Sequence, residues 1–461
     1  MLGVSKYKKE ASRPDSRSIP PVSVTGAGFA QVARNGHNGD MVWVFLAVSV
    51  LGLLHAINGL FPRKALTPFA LGSFMAAWLT NELVWHHLFM GLLWTALFVS
   101  LGVVGSPVGL VALAIMAVAE GLLLYSARIG HRTAAVMQEA LAPIGPPPVG
   151  PRFPRLHLVF PFLVGRRRGL QKQRDVPYAV AAGRTLKLDA TIPSAPVPGG
   201  GTRRPALIQI HGGGWVIGDK REQGLPLLTH MAAQGWVGFN VNYRLSPAAT
   251  FPDHLVDLKA ALAWIRQHAD AYNIDPDFIC VTGGSAGGHL TALMGLTAGD
   301  PRFQPGFEDA DTSVAAAVPF YGIYDFTPDG TFGSHAEMYR RFLEPIVMKA
   351  FVADEPRRFE EASPVHHLSE SAPAFLVVHG DHDTLAPVED ARIFVERLRA
   401  VSTQPVLYAE LPGAEHAFEV FPSERTARTV EGVAQFLSDR WERRHAPQEA
   451  GLHADAPALV E

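Results

Sequence analysis

Residues 278–289 read Phe-Ile-Cys-Val-Thr-Gly-Gly-Ser-Ala-Gly-Gly-His. A short run of β-type apolar residues enters a glycine-rich turn with one serine at its centre. Leu290, Ala292, Leu293 and Leu296 then continue with helical spacing. Gly283 to Gly287 fits G-x-S-x-G, a strand–turn–helix device that lifts a nucleophilic serine clear of the backbone. Such a turn holds the serine in a strained conformation, and a side chain two residues to either side would clash, so glycine or another small residue is needed there. The helix that follows aims its free N–H groups and partial positive charge at a developing oxyanion. In a chain with 43 glycines the motif alone is weak, because an ordinary glycine-rich turn reads the same way. Partners elsewhere must carry the rest.

Three neighbouring stretches supply candidates. His211-Gly212-Gly213-Gly214-Trp215 follows the apolar run 206–210. A run of glycines lets the backbone turn its amides inward, and a tetrahedral intermediate needs two or more such donors about 3 Å from its oxyanion. The expected donors are Gly212, Gly213 and Ala286, the residue after the serine. His379-Gly380-Asp381-His382-Asp383 follows the run 374–378. Asp381 and Asp383 both qualify there as the acid that orients a base, the other being left to fix the loop. Gly413-Ala414-Glu415-His416-Ala417-Phe418 follows the run 406–411. His416 stands out among 19 histidines because it completes the order Ser, Asp, His along the chain. His289, His379 and His382 read as structural, and their spacing matches no metal site. No metal or cofactor is implied.

The motifs lie in a region of strand–helix alternation. Candidate strands are 185–191, 206–210, 237–243, 278–282, 314–320, 374–378 and 406–411. Several lack alternation, as expected for strands buried on both faces of a parallel sheet. Leu255, Leu258, Leu262 and Ile265 mark one face of a helix beginning near Pro252, and Phe394, Leu398 and Val401 mark another from about 388. The reading is a doubly wound, mostly parallel α/β domain over 176–444, about 270 residues long. The segment 322–372 is too long for a plain crossover. Its Tyr324, Phe326, Phe332, Met338, Tyr339, Phe342 and Phe351 suggest a lid or wall for an apolar acyl group, with ordinary helical core as the alternative.

HGGGW, GGSAGGH, HGDHD and EHAF, in this order, resemble the α/β-hydrolase esterases of the hormone-sensitive-lipase type. The resemblance covers about residues 180–440. It implies the α/β-hydrolase fold, Ser285 as nucleophile, His416 as base and Asp383 as the orienting acid. Gly284 departs from the pattern, since many such enzymes have aspartate before the nucleophile. GGSAGGH is also similar to the feruloyl-esterase-like and arylformamidase-like branch. The expected activity is that of a serine carboxylesterase or lipase acting on a small-molecule ester or lipid. An arylformamidase-like amidase and a non-catalytic binding module are the alternatives.

Upstream the chain changes character. Residues 41–127 are almost continuously apolar. A spanning helix needs roughly 20 residues, so the block has room for about four. They are placed near 41–61, 65–83, 86–104 and 107–127, with breaks at Pro62-Arg63-Lys64, Asn81-Glu82 and Gly105-Ser106-Pro107. Arg34 before the block and Arg128, Arg132, Arg152 and Arg155 after it put both flanks, and so the catalytic domain, on the cytoplasmic side, although Arg63-Lys64 opposes this. Glu120 falls inside the fourth span, where an acid is a functional candidate by default, but with no partner visible it reads as a bundle-facing structural residue. With Glu82, His86 and His87 it is the sole hint of a transporter.

Residues 1–40 read as a disordered basic arm, 128–175 as a proline-rich and basic linker, and 445–461 as a disordered tail. The basic stretch 166–174 faces either water or anionic lipid headgroups. The net charge of −3 argues against nucleic acid as a partner, and the lone Cys280 excludes intramolecular disulfides.

Overall fold

Cys280 lies at the centre of the strand that organises the catalytic half. The computed structural model describes residues 26–62, 70–145, 152–163, 169–330 and 339–445. The strands are β1 Leu170–Ala181, β2 Arg184–Pro193, β3 Arg204–Ile210, β4 Val237–Val241, β5 Ile274–Gly284, β6 Ala316–Phe320, β7 Ala374–Gly380 and β8 Val406–Leu411. They form one sheet in the order β1-β2-β4-β3-β5-β6-β7-β8. β1 and β2 run antiparallel at one edge, and every pairing from β4 to β8 is parallel. This is the arrangement of the α/β-hydrolase fold. Phe278, Ile279, Cys280 and Val281 are at most 2% exposed, since β5 is covered on both faces. Cys280 sits between Leu207 of β3 and Ala316 of β6.

The long helices before the sheet are α1 Gly26–Leu60, α2 Ala70–Glu82, α3 Val84–Ser100, α4 Pro107–His131 and α5 Thr133–Leu141. Five long ones follow within it: α6 Leu225–Ala232, α7 Asp253–Gln267, α8 Ala286–Leu296, α9 Val388–Val401 and α10 Glu424–His445. One face of the sheet packs on α7, α8 and α9 through Leu255, Leu258, Leu262, Ile265, Leu290, Leu293 and Phe394. The other packs on α6 and α10 through Leu228, Met231, Val433 and Phe436, joined by Met137 and Leu141 of α5. Val401 departs from its expected face and is 43% exposed, because it closes the last turn of α9.

The upstream region differs from the expectation in three ways. First, α1 begins at Gly26, inside the stretch read as an unstructured arm; the rest of that arm, and the tail after His445, lie outside the described residues.

Second, among the described residues two helices, Gly39–Leu60 and Pro107–Ile144, are long and apolar enough to cross a membrane, rather than four. A third span is available only if Leu71–Glu82 and Val84–Ser100 are counted together, and these bend by 86°. The bend falls at Leu83, where the polar pair before it finds partners off the helix. Asn81 donates to the Gly59 carbonyl at 2.9 Å and accepts from Ser126 at 2.8 Å. Glu82 is bound by Arg425 of α10 and by Ser423 just before that helix.

Third, the supposed linker contains α5, whose buried Met137 and Leu141 belong to the core under α10.

Candidate active site

The serine turn is built by close approach. β5 ends at Gly284 and α8 starts at Ala286, leaving Ser285 between them at φ 59°, ψ −123°. That left-handed backbone is one a side-chain-bearing residue adopts only when its surroundings enforce it. Here the Ser285 N–H donates to the Phe320 carbonyl at 3.0 Å. A Cβ on Gly283 would lie 2.6 Å from both the Ile210 and Gly287 carbonyl oxygens, and one on Gly287 would run into the Ile210 carbonyl. Both flanking glycines are therefore steric requirements. The serine is left partly exposed at the carboxyl end of the sheet.

Asp383 and His416 stand past the ends of β7 and β8. His416 Nδ1 meets Asp383 Oδ2 at 2.7 Å, with both side chains buried. Asp383 also accepts the Leu385 and Ala386 N–H groups at 2.9 and 2.7 Å and faces His379 Nε2 at 3.3 Å. Burial works to raise its pKa, but His416 and His379 more than offset that and hold the carboxyl well below the usual carboxylate range. Asp381 instead accepts the Gly413 N–H at 2.7 Å and ties down the loop carrying His416. His289 is structural in its bonding: Nδ1 accepts from Trp215 and Nε2 faces the Ala362 carbonyl at 2.7 Å. Burial pulls its pKa down to about 3.

Tyr321 joins the two loops, and the sequence offered no signal for it. Its ring centroid lies 4.5 Å from that of His416. A Cβ on Gly284 would lie 2.8 Å from the same ring, so an aspartate at that position has no room beside Tyr321. The Tyr321 hydroxyl donates to buried Glu419. Burial pushes Glu419 up to about 7, against the pull of that hydrogen bond. Glu415 accepts the N–H groups of Thr384 and His416 at 2.8 and 2.9 Å, and burial together with the Asp383 charge raises it to about 7.

The glycine loop requires one correction. The Gly212 N–H donates to Gln223 Oε1 at 2.7 Å, so it is already engaged. The close packing of Gly212 on the Ser285 turn, where a Cβ would lie 2.6 Å from the Gly284 oxygen, explains why it is glycine. Gly213 and Gly214 follow at φ 115° and 58°. Among the described residues no backbone acceptor takes either N–H. Ala286 opens α8, where first-turn N–H groups lack intrahelical partners.

Phe342 stands over this loop, 3.0 Å from where a Gly214 Cβ would be. Elsewhere in 322–372, Tyr324 and Phe326 are core residues at 0% and 1% exposure. Phe332, Met338 and the Tyr339 side chain lie outside the described residues.

A further contribution comes from the apolar region. Phe74 of α2 packs edge-on against His416, with centroids 6.3 Å apart. Trp78 donates its Nε1–H to the Ala417 carbonyl at 2.9 Å and packs on Phe421. The loop that carries His416 is therefore covered by a helix about 340 positions upstream in sequence. Asn81-Glu82, two polar residues in an apolar run, was the one available signal.

Residues 196–398 match the family model described as BD-FAE. The probable carboxylic ester hydrolase LipM of Mycobacterium tuberculosis is 51% identical over 54% of this chain and 57% of its own length. Esterase LipQ of the same organism is 43% identical over 63% of this chain and 68% of its own. Esterase LipC, also from that organism, is 46% identical over 51% of this chain and 58% of its own. The chain thus spans less than two thirds of LipM and of LipC.

Proposed function

The chain belongs to the esterase family that contains LipQ, and on that premise we propose that it is a membrane-attached serine carboxylesterase. The observation that carries this reading is the buried His416–Asp383 pair, with Tyr321 packed on His416, together with a serine held at φ 59° at a strand–helix turn. Asp383, ionised by its surroundings, holds His416 with Nδ1 protonated, leaving Nε2 as the base. Nε2 takes the Ser285 proton as Oγ attacks the ester carbonyl. The oxyanion is received by N–H groups of Gly213, Gly214 and Ala286. Collapse breaks the ester C–O bond, and the alcohol leaves with the proton from His416. Water then attacks the acyl-enzyme by the same steps and releases the acid.

The Phe342 side of the site favours an apolar acyl group, and the two long apolar helices favour attachment to a membrane. A fluorophosphonate probe tests the proposal in isolated membranes. The wild type should label and Ser285→Ala should not; a folded wild type that stays unlabelled sinks the reading.

A further inference from the structure

A cavity of about 570 Å³ lies between the α2–α3 bend, the end of α4, residues 152–159 and α10. Its lining contains none of Ser285, Asp383 and His416. One side is apolar, with Val84, Trp85 and Val159; the other carries Arg152, Arg155, Arg425 and Arg428. Three carboxylates also line it, and each is already engaged. Glu82 holds Arg425 and Ser423. Glu424 meets His131 at 2.7 Å. Glu431 accepts from Arg428 at 3.1 Å and from the Phe153 N–H at 2.8 Å.

Positive charge is left over. Arg152 and Arg155 have no ion-pair partner among the described residues. Arg425, whose side chain is 3% exposed, keeps a buried Nε–H without an acceptor, and so does Arg428. Buried donors are costly to leave unmade, so these two point to an occupant that accepts hydrogen bonds.

The surroundings identify the occupant. The rim beside the arginines is exposed and apolar: Trp85 is 56% exposed, Phe89 65%, Leu156 57%, Val159 59% and Phe162 71%. His86 Nε2, at 3.0 Å from the Val159 carbonyl, fastens this segment to α3. A free anion would use the arginines but not the rim. Basic pockets between apolar helices near a membrane surface suit anionic headgroups.

We propose that the cavity binds an anionic phospholipid, its phosphate facing Arg152, Arg155 and the open Nε–H groups and its chains leaving past Trp85 and Val159. The proposal rests on the membrane attachment inferred above. Arg425 also donates to the Gly413 carbonyl at 3.1 Å, so the site backs onto the loop that carries His416.

The test titrates phosphatidylglycerol or phosphatidylcholine into the full chain in nonionic detergent and follows tryptophan fluorescence. Trp85→Phe assigns the cavity's share of the signal. Phosphatidylglycerol should bind and phosphatidylcholine should not. Each basic residue near an anionic lipid surface adds roughly fivefold in affinity, so Arg152→Gln with Arg155→Gln should weaken binding about thirtyfold. Both arginines are exposed, so the pair of changes leaves the fold intact, and Arg397→Gln on the far helix α9 should change nothing. Equal response to the two lipids, undiminished affinity in the double variant, or the same response to inorganic phosphate overturns the proposal. Release of the chain from membranes by alkaline carbonate would instead remove the attachment reading, whatever the titration shows.

Discussion

In β5, Phe278, Ile279, Cys280 and Val281 are at most 2% exposed; in α3, Trp85, Phe89, Leu92 and Leu93 are 53–65% exposed. The same residue types are turned inward in one region and outward in the other. The sheet satisfies its apolar groups internally, by helices on both faces. The upstream helices bury a narrow seam, such as Phe45 against Phe98 at 4.7 Å, and leave many of their large apolar side chains exposed. Where the two regions meet, the contacts become polar and charged: Glu82 with Arg425, and Trp78 with the Ala417 carbonyl. The difference teaches that the apolar region is a structural part of the end of the sheet that carries Ser285 and His416, in addition to the membrane attachment proposed for it.

The sharpest way to separate the regions is Ser285→Ala. Ester turnover should fall by roughly 10⁵-fold, while membrane association and thermal stability stay unchanged. Loss of both together, in an ester assay run alongside membrane sedimentation, would show that the two regions are not separable at the nucleophile.

Next in size is the buried pair at the junction. Arg425→Met leaves Glu82 buried without its cation and should cost about 3–5 kcal/mol in stability. Adding Glu82→Gln should restore most of that loss, since both charges are then gone. Thermal inactivation midpoints in detergent measure it, and an unaffected Arg425→Met would break the claim that the Glu82–Arg425 pair holds the two regions together.

A third effect belongs mainly to the sheet side. Glu415 and Glu419 have folded pKa values raised from 4.5 to about 7. Their raised values mean that the stability linked to them is complete below about pH 4.5 and is lost as pH rises through about 7. The melting midpoint should therefore drop between pH 5 and pH 8. Glu415→Gln should flatten that slope by on the order of 2 kcal/mol.

The smallest effect expected is across the junction at the histidine itself. Phe74→Ala and Trp78→Phe should lower kcat on a short ester by about three- to tenfold with KM little changed, because they loosen the His416 loop without touching the acyl wall. A KM effect instead would make α2 part of the substrate pocket.

Legibility in the sequence divided along the same boundary. Motifs at strand ends were readable because steric and chemical needs there fix residue type. Gly283 and Gly287 can carry no side chain, and Asp383 and His416 stand just past β7 and β8. The edge strand β1 was missed because it is mostly polar and exposed, which an apolar-run reading does not register. Val176 and Pro177 in its middle pair with Leu188 and Lys187 of β2. Hydropathy counted four spans because it registers how apolar a segment is and is blind to its direction. The bend at Leu83 depends on partners in α10, some 340 residues downstream. Gly212 was assigned as a donor because a glycine run shows which amides are free to turn inward. It does not show that Gln223 takes one of them.

Cys280 gives the molecule an internal clock. It carries the only thiol in the chain, and that thiol lies in the middle of the central strand. Burial also pushes its ionisation up, which further slows its reaction with alkylating reagents. A reagent added to intact membranes reaches Cys280 only when β3, β5 and β6 part, so the alkylation rate counts openings of the sheet directly. The native sequence can thus be timed with no engineered probe, even under conditions where irreversible unfolding leaves calorimetry without a clean transition.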